Sequence, residues 1–161
     1  YYEEVLVVRV HQEFLAGQHL PDNLVTKRIW DERFEDINAM ERYLARNGIA
    51  ICKFFLHVSK KEQKKRFLAR LDEPAKNWKF SMKGVQERAH WDKYMHAYED
   101  MICNTATKHA PWHIVPADHK WFTRLVVSQA IIQTLESLDL AFPKLSAEQR
   151  KELEAARQTL R

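Results

Sequence analysis

The sequence predicts an α/β fold, because two short apolar runs are each followed by a segment with helical periodicity. The first run, Ile49 to Val58, lies between Gly48 and the helix-capping residue Ser59. Its almost continuous apolar character is typical of a strand buried on both faces of a parallel sheet. The second run is Pro111 to Pro116. Two strands cannot form the core of such a sheet, so either further strands escape detection or polypeptide outside these residues completes it.

Composition predicts one globular domain with an acidic partner. The chain has 161 residues, of which 45% are hydrophobic, and no apolar run approaches the roughly 20 residues that a membrane span needs. We therefore expect no membrane partner. Two cysteines, Cys52 and Cys103, suit a reducing cytoplasm, with Cys52 in an apolar run. A net charge of +4 and a pI near 9.1 favour nucleic acid, a nucleotide or an inorganic phosphate polymer as partner.

The first third of the chain predicts helices and a loop. Tyr1 to His11 is apolar and β-branched, so it could be a strand or a buried helix, and we favour a helix. Glycine, proline and short polar residues predict a loop from His11 to Thr26. A helix is expected from Lys27 to Arg46, followed by a C-cap at Asn47-Gly48. The apolar face of this helix would contain Trp30, Phe34, Ile37 and Leu44.

Positive charge is concentrated between Ser59 and Ser81. This stretch has eight Lys or Arg against three Asp or Glu, a balance of +5, which leaves about −1 for the rest of the chain. Ser59 and Glu62 form a capping-box pattern, and the Pro74 region ends the helix that begins there. On that helix Arg66 and Arg70 share a face with Gln63, and no acidic residue lies between Gln63 and Arg70.

A solvated helix face is the ordinary explanation for a run of charge. Clustered arginines four residues apart repel each other unless an anion lies between them, so we predict a polyanion-binding arm that recognises phosphate. The arm follows the carboxyl end of a buried strand, where ligands bind in open α/β sheets.

Beyond the arm, the sequence predicts three more helices and the second strand. Val85 to Asn104 is a helix with aromatic residues on one face, which we assign to the core in preference to a base-stacking platform. Asp118 is expected to cap the helix after the second strand, and Ser146 with Gln149 caps a peripheral last helix that runs to Arg161. The aromatic face contains Trp91, Tyr94 and Tyr98, and the stripe of the helix after Asp118 contains Trp121, Leu125, Ile132 and Leu135.

Two cations lie in the first turn of the helix after Asp118. Lys120 and Arg124 oppose the dipole of that helix N-terminus, so they are better explained by a bound anion than by helix stability.

The motifs of the arm resemble the lid region of type-2 polyphosphate kinases. Within Ile51 to Ser81 they read Ser59-x-x-Glu62-Gln63, Arg66-Phe67, Arg70 and Asp72-x-Pro74-x-Lys76-x-Trp78-Lys79-x-Ser81, and Trp91-Asp92-x-Tyr94 follows. Ala110-Pro111-Trp112 and Ala117-Asp118-x-Lys120, with Arg124, resemble the strand and helix that close the same fold.

The resemblance implies a P-loop nucleotide kinase-like fold, similar to thymidylate kinase, with three layers and a helical lid. Its members move a phosphoryl group between inorganic polyphosphate and a nucleotide, with Mg²⁺. Residues 1–140 would then be the C-terminal part of that domain, with the lid at about 59–95, and residues 141–161 a peripheral helix. The family's Walker A and Walker B elements are not in these residues, so the chain by itself is expected to be inactive.

The resemblance also implies roles for individual residues. Arg70 would be the arginine-finger equivalent, with Arg66 beside it in the lid. The phosphates of polyphosphate or nucleotide would be bound by Lys76, Lys79, Lys120, Arg124, Glu3 and Arg9. The segment from Tyr1 to His11 is similar to that of the subgroup acting on nucleoside mono- and diphosphates (ADP and AMP, or GDP and GMP), which makes Glu3 a candidate for substrate choice.

Further expectations concern two other residues, the metal and the partners. We expect Trp78 to be a packing anchor for the lid, and Glu41 either to hold an arginine or to act in catalysis. No metal site is expected from the histidines, since Mg²⁺ would be bound mainly through substrate phosphates. The protein is expected to be a homo-oligomer, a dimer or a tetramer, without nucleic acid.

Two competing functions remain open from the sequence. One is a nucleic-acid-binding helical module, which Lys and Arg next to Trp would support, although no groove-reading motif is present. The other is another P-loop kinase that acts on a small metabolite.

Overall fold

The computed structural model describes residues 1–160 and contains eight α-helices and two β-strands in that range. The helices are α1 (Val7–Val10), α2 (Glu13–Ala16), α3 (Ile29–Arg46), α4 (Lys60–Asp72), α5 (Met82–Gln86), α6 (Trp91–Thr105), α7 (Lys120–Ser137) and α8 (Ala147–Thr159). The strands are β1 (Lys53–His57) and β2 (Trp112–Pro116). Four short 3₁₀ segments join them: Tyr2–Val5, Asp22–Leu24, Pro74–Lys79 and Glu87–His90.

The sheet confirms the predicted α/β class. β1 and β2 pair in parallel, with Lys53 opposite Trp112 and His57 opposite Pro116, so both carboxyl ends lie at the same edge. The prediction of a strand buried on both faces was wrong, because Leu56 is 48% exposed and Ile114 is 60% exposed. The reason is that the described residues give each strand only one neighbour and leave the other edge and part of one face uncovered.

The core lies between the N-terminal segment, α3 and α6. Val5, Phe34, Ile37 and Met101 form its buried centre. The N-terminal segment is helical, as favoured from the sequence, and the expected loop from 11 to 26 contains the short helix α2 and one 3₁₀ turn. This packing fixes α6, which forms one wall of the site described below.

The end of α3 follows the predicted C-cap. Gly48 has a φ of 82°, in the left-handed region that glycine adopts without strain. The backbone N–H groups of Gly48 and Ile49 donate to the carbonyls of Ala45 and Leu44, both at 3.1 Å, which is the hydrogen-bond pattern of a Schellman motif. The chain therefore turns sharply from α3 toward β1.

The start of α4 is capped by two side chains, and the prediction for Asp118 was wrong. Ser59 Oγ accepts from the Glu62 N–H at 3.1 Å, as expected of an N-cap. The return bond of a capping box is replaced, because the Ser59 N–H donates to Asp118 Oδ1 at 2.7 Å. Asp118 is thus engaged across the sheet edge and does not cap α7, whose N-cap position is His119 without a side-chain bond.

The last two helices are largely exposed. The predicted apolar stripe of α7 exists, but its members lie at the surface of the described residues, with Trp121 69% exposed. The predicted capping box of α8 is confirmed by reciprocal hydrogen bonds between Ser146 and Gln149. Within residues 1–160, no helix has both the length and the apolar character that crossing a membrane requires.

Candidate functional site

A cavity of about 430 Å³ lies between the carboxyl end of β1, α4, the segment 87–90 and α6. One part of its wall is cationic, with Arg66 and Arg70 from α4 and Arg88 from the opposite segment. The other part is aromatic, with Phe55, Trp91, Tyr94 and Tyr98. A space with cations on one side and aromatic rings on the other matches a molecule that has phosphate groups and a ring system.

Arg66 is held in place by its own chain. Its Nε donates to Glu62 Oε1 at 2.9 Å, and its Nη2 donates to the carbonyls of Ala117 at 2.7 Å and Asp118 at 3.1 Å. The absence of an acidic residue between Gln63 and Arg70 therefore does not leave Arg66 unpaired, because Glu62 lies one turn before it. These bonds tie α4 to the carboxyl end of β2.

Arg70 has a different environment. Its guanidinium carbon lies 5.2 Å from the centre of the Phe67 ring, and among the described residues no hydrogen bond or ion pair engages the group. The side chain is half-buried against the cavity. A guanidinium with no carboxylate partner keeps its donors for an incoming anion.

Arg88 is a third cavity guanidinium that the sequence analysis did not select. Its Nη1 donates to Gln63 Oε1 at 2.6 Å and to the Lys60 carbonyl at 3.0 Å, both neutral acceptors. The sequence contained an indication of its position. Arg88 precedes three residues of the cavity wall, Trp91, Met95 and Tyr98, by three, seven and ten residues, as in a helix. The spacing alone does not show that Arg88 meets Gln63 and Lys60 of α4, because that contact joins residues 25 and 28 positions apart.

The aromatic wall comes mainly from α6. Tyr98 lies 4.7 Å from Phe55, centre to centre, and burial raises its pKa. These rings were assigned to the core, and they are partly buried, but they also face the cavity. They therefore combine a packing contact on one side with an accessible surface on the other.

Glu87 is the carboxylate of the cavity wall, and it is bound to its own chain. Glu87 Oε2 is 2.8 Å from His11 Nε2 and accepts from the Tyr94 hydroxyl at 2.8 Å. The hydrogen bond from His11 holds the pKa of Glu87 below its usual value, and the same bond raises the pKa of His11. The pair thus favours imidazolium and carboxylate, and it links α1 to the segment that carries Arg88.

The predicted lysines of the lid lie outside the cavity. Lys76 forms an ion pair with Glu73, and Lys79 lies over Trp78, with its Nζ 4.8 Å from the ring centre. Trp78 is 78% exposed, so the expectation that it packs the lid was wrong for this conformation.

The remaining predicted residues are also separate from the cavity wall. Lys120 and Arg124 are exposed on the first two turns of α7, next to the carboxyl end of β2. Glu3 is exposed in the N-terminal segment, while Arg9 donates through Nη2 to Asp100 Oδ2 at 2.5 Å. The structure brings Arg66 and Arg70 together, but it does not bring Glu3 or Arg9 to them.

A buried ion pair lies at the opposite end of the strands. Lys53 Nζ donates to Glu41 Oε2 at 2.6 Å, to the Tyr2 hydroxyl at 2.9 Å and to the Thr105 carbonyl at 2.8 Å. Tyr1 and Tyr2 donate to the other Glu41 oxygen, and burial together with Glu41 raises the pKa of Tyr1 to about 12. Glu41 was expected either to hold an arginine or to act in catalysis, and in the structure it holds a lysine.

Comparisons with known proteins agree on one family. The model of the family described as Polyphosphate kinase 2 (PPK2) matches residues 1–143. An ADP-polyphosphate phosphotransferase of Rhodopseudomonas palustris is 50% identical over 161 residues, covering 99% of this chain and 56% of that protein. An AMP/ADP-polyphosphate phosphotransferase of Meiothermus ruber is 43% identical over 144 residues, covering 89% of this chain and 50% of that protein.

The structural comparison gives the same result. The crystal structure of Polyphosphate Kinase 2 from Arthrobacter aurescens TC1 superposes with a TM-score of 0.80 at 39% identity, over 96% of this chain and 52% of that one. The helices and parallel strands described above therefore fit the α/β kinase-like fold. The chain spans about half the length of these three relatives.

Proposed function

The chain belongs to the polyphosphate kinase 2 family, and we propose that it acts in transfer of a phosphoryl group between inorganic polyphosphate and a nucleoside mono- or diphosphate. The observation that carries this proposal is the cavity in which three guanidinium groups, from Arg66, Arg70 and Arg88, face an aromatic wall. The names of the Rhodopseudomonas and Meiothermus relatives support the substrate class.

The chemistry needs positioning and neutralisation of charge more than covalent catalysis. Phosphoryl transfer requires two phosphate chains in line, with negative charge spread over the transferred group. Arginine suits this task, because its planar fork binds two oxygens at once. We assign Arg70 to the transferred phosphoryl group, since its donors have no carboxylate partner, and Arg88 to the phosphates beside it.

Arg66 has a second task in this proposal. Its bonds to Glu62 and to two carbonyls leave Nη1 free of protein partners among the described residues, while they fix the direction of the guanidinium. Arg66 would therefore hold α4 against the sheet edge and present one remaining donor to the phosphates. Lys76, Lys79, Lys120 and Arg124 would guide the polyphosphate or the nucleotide phosphates toward the cavity.

Glu3 and Arg9 are proposed to act outside the cavity. We retain Glu3 as a candidate for the choice between mono- and diphosphate acceptors, because its side chain is exposed and can meet a substrate. Arg9 is already paired with Asp100, so its proposed contact with substrate requires exchange of that partner.

Mg²⁺ is the proposed cofactor, and it would neutralise phosphate charge during transfer. The donor set of the cavity fits an ion that arrives with the substrate. Glu87 is the carboxylate of the wall, and its Oε2 is engaged by His11 and Tyr94, so Glu87 would help to hold the ion only through its other oxygen. Phosphate oxygens would supply the other ligands.

The setting of the enzyme is also a proposal. We propose a cytoplasmic location, which the two free thiols of Cys52 and Cys103 support. We further propose that the working protein is a homo-oligomer, a dimer or tetramer, and that nucleic acid is not a substrate.

The test uses the full-length protein that contains this sequence, incubated with long-chain polyphosphate, Mg²⁺ and either ADP or AMP. The expected result is formation of ATP from ADP, and of ADP and then ATP from AMP. A protein that makes no nucleotide product but shifts DNA in a salt-dependent manner would overturn the proposal in favour of nucleic-acid binding. Phosphorylation of a small metabolite at the expense of ATP, with polyphosphate inert, would favour another kinase.

A further inference from the structure

Helix α4 has a second cationic face that points away from the cavity. Lys61, Lys64 and Lys65 are all exposed on this face. At roughly 100° per residue they lie on the opposite side of the helix from Arg66 and Arg70. A groove of about 390 Å³ runs along them and continues past Leu68. The helix thus has arginines toward the cavity and lysines toward solvent.

The lysines of this face have no carboxylate partner among the described residues. Glu62 lies among them in sequence, but its carboxylate is engaged by Arg66 at 2.9 Å. Glu73 pairs with Lys76. Asp72, at the far end of the groove, is about 10 Å along the helix from Lys65 and forms no ion pair with it.

Two effects make this arrangement unfavourable for the helix by itself. Lys61 and Lys65 are four residues apart, and like charges at that spacing repel. Lys61 also lies in the first turn, where the helix dipole disfavours cations. An anion held along this face would remove both penalties, whereas helix stability alone would favour acidic residues here.

Lys60 connects the outer face to the cavity. Its Nζ lies 5.9 Å from the centre of the Trp91 ring, and Trp91 is part of the cavity wall. The Lys60 carbonyl accepts from Arg88, another residue of that wall. Lys60 therefore lies between the cavity wall and the outer face that carries Lys61 and Lys65.

We propose that the lysine face, formed by Lys61, Lys64 and Lys65, binds the distal phosphates of a polyphosphate chain whose reacting end occupies the cavity. This inference rests on the proposed function and adds a second binding region to it. Ammonium groups on flexible stems bind phosphate as point charges, without a fixed geometry. Such a face suits a polymer that must shift along the helix after each transfer, and it would favour long chains over short ones.

The test is the triple variant Lys61→Gln, Lys64→Gln, Lys65→Gln in the full-length protein. Its matched control removes the same charge from the peripheral region by Lys144→Gln, Arg150→Gln and Lys151→Gln. Two quantities are measured at low and high salt: the KM for long-chain polyphosphate and for tripolyphosphate, and direct binding of long-chain polyphosphate without nucleotide.

For the lysine-face variant, we expect the KM for long chains to rise about tenfold at low salt and the KM for tripolyphosphate to rise less than about twofold, as loss of three exposed charge contacts implies. The control should show neither change. Equal effects on long and short chains, or an equal effect in the control, would overturn the proposal. A wild-type protein that turns over another phosphoryl donor but neither binds nor uses polyphosphate would overturn the proposed function, and this inference with it.

Discussion

Arg66 and Arg70 lie one turn apart on α4, yet the structure gives their guanidinium groups different surroundings. Arg66 donates to Glu62 and to the carbonyls of Ala117 and Asp118, whereas the Arg70 guanidinium lies beside the Phe67 ring and has no hydrogen bond or ion pair with the described residues. The first arrangement stabilises the helix against the sheet edge. The second keeps donors available, so the two arginines should respond differently to the same substitution.

Arg70→Ala should reduce turnover on the order of a thousandfold, as loss of an arginine finger does, with little change in the free energy of unfolding. Arg66→Ala should instead destabilise the protein by about 2 kcal/mol, because it leaves two carbonyls without a charged donor. Steady-state kinetics and urea unfolding of both full-length variants make the comparison. If Arg70→Ala retained normal turnover, Arg70 would lose its assignment, and an equal loss of stability in both variants would contradict the difference argued here.

The buried pair of Lys53 and Glu41 is a residue-level feature that periodicity could not reveal. The Glu41 side chain has no exposed surface, and all its contacts come from residues distant in sequence. In the sequence, Lys53 interrupts an apolar run, and such a lysine is expected to extend toward solvent. Only the convergence of α3, α6 and the N-terminal segment on β1 gives Lys53 its three acceptors.

Lys53→Met should lower the free energy of unfolding by about 3 kcal/mol, because it leaves the Glu41 carboxylate buried without its cation. Lys76→Met is the matched control, since the Lys76 pair with Glu73 is exposed, and it should change stability by less than about 0.5 kcal/mol. Chemical denaturation of both variants measures the difference. A loss in Lys53→Met no larger than in the control would mean that water reaches Glu41 in solution.

At the level of elements, His11 and Glu87 join α1 to the segment 87–90 that carries Arg88. His11 also faces Glu13, with its Nδ1 3.3 Å from Glu13 Oε1, and the ring of His90 at 4.8 Å. The raised pKa of His11 means that the pair stabilises the fold fully below the ordinary histidine value of 6.5 and loses this contribution as the pH rises through the raised pKa. The lowered pKa of Glu87 means that the contribution is present above 4.5 and is lost as the pH falls through the lowered pKa.

We therefore expect the pair to contribute most between pH 4.5 and 6.5. His11→Gln should destabilise the protein by about 1 kcal/mol in that window and by less at about pH 9, because the contribution of the imidazolium is lost as the pH rises through its raised pKa. Urea unfolding at the two pH values measures this, with His96→Gln as the control for an exposed histidine. A destabilisation by His11→Gln that does not depend on pH would show that the ring acts only through packing.

Local sequence patterns predicted where helices begin and end better than they predicted which residues cover each element. The caps at Gly48 and Ser146 and the N-cap bond of Ser59 were correctly identified, because each depends on residues within four positions, whereas the return bond from Glu62 was not. The surroundings of β1 and the role of Asp118 were predicted wrongly, because both depend on contacts across the sheet. A sequence pattern reports that a strand is apolar, but not how many neighbours cover it.

At the scale of the whole molecule, the candidate site contains some residues that the sequence could indicate and others that only the tertiary structure reveals. The motif of α4 indicated Arg66 and Arg70, and the structure brings both to the cavity. Arg88 and Glu87 reach the same cavity because α6 packs on α3 and on the N-terminal segment, which is a tertiary arrangement. Lys120 and Arg124 follow the other strand, so their distance from the cavity depends on the path of α7.

The region after α7 should be dispensable for folding of this molecule. Every described residue from 141 to 160 is exposed, Phe142 is 95% exposed, and the side-chain hydrogen bonds of α8 stay within the helix. The family match also ends at residue 143.

Removal of residues 141–161 from the full-length protein should therefore change the free energy of unfolding by less than about 1 kcal/mol, since it uncovers no core. It should also leave kcat/KM for phosphoryl transfer within about twofold, because no proposed phosphate contact lies there. Denaturant unfolding and steady-state kinetics measure the two effects, and Ser146→Ala serves as a variant that weakens only the cap of α8. A larger loss of stability on truncation, together with a loss in Ser146→Ala, would mean that α8 packs against the rest of the protein in solution.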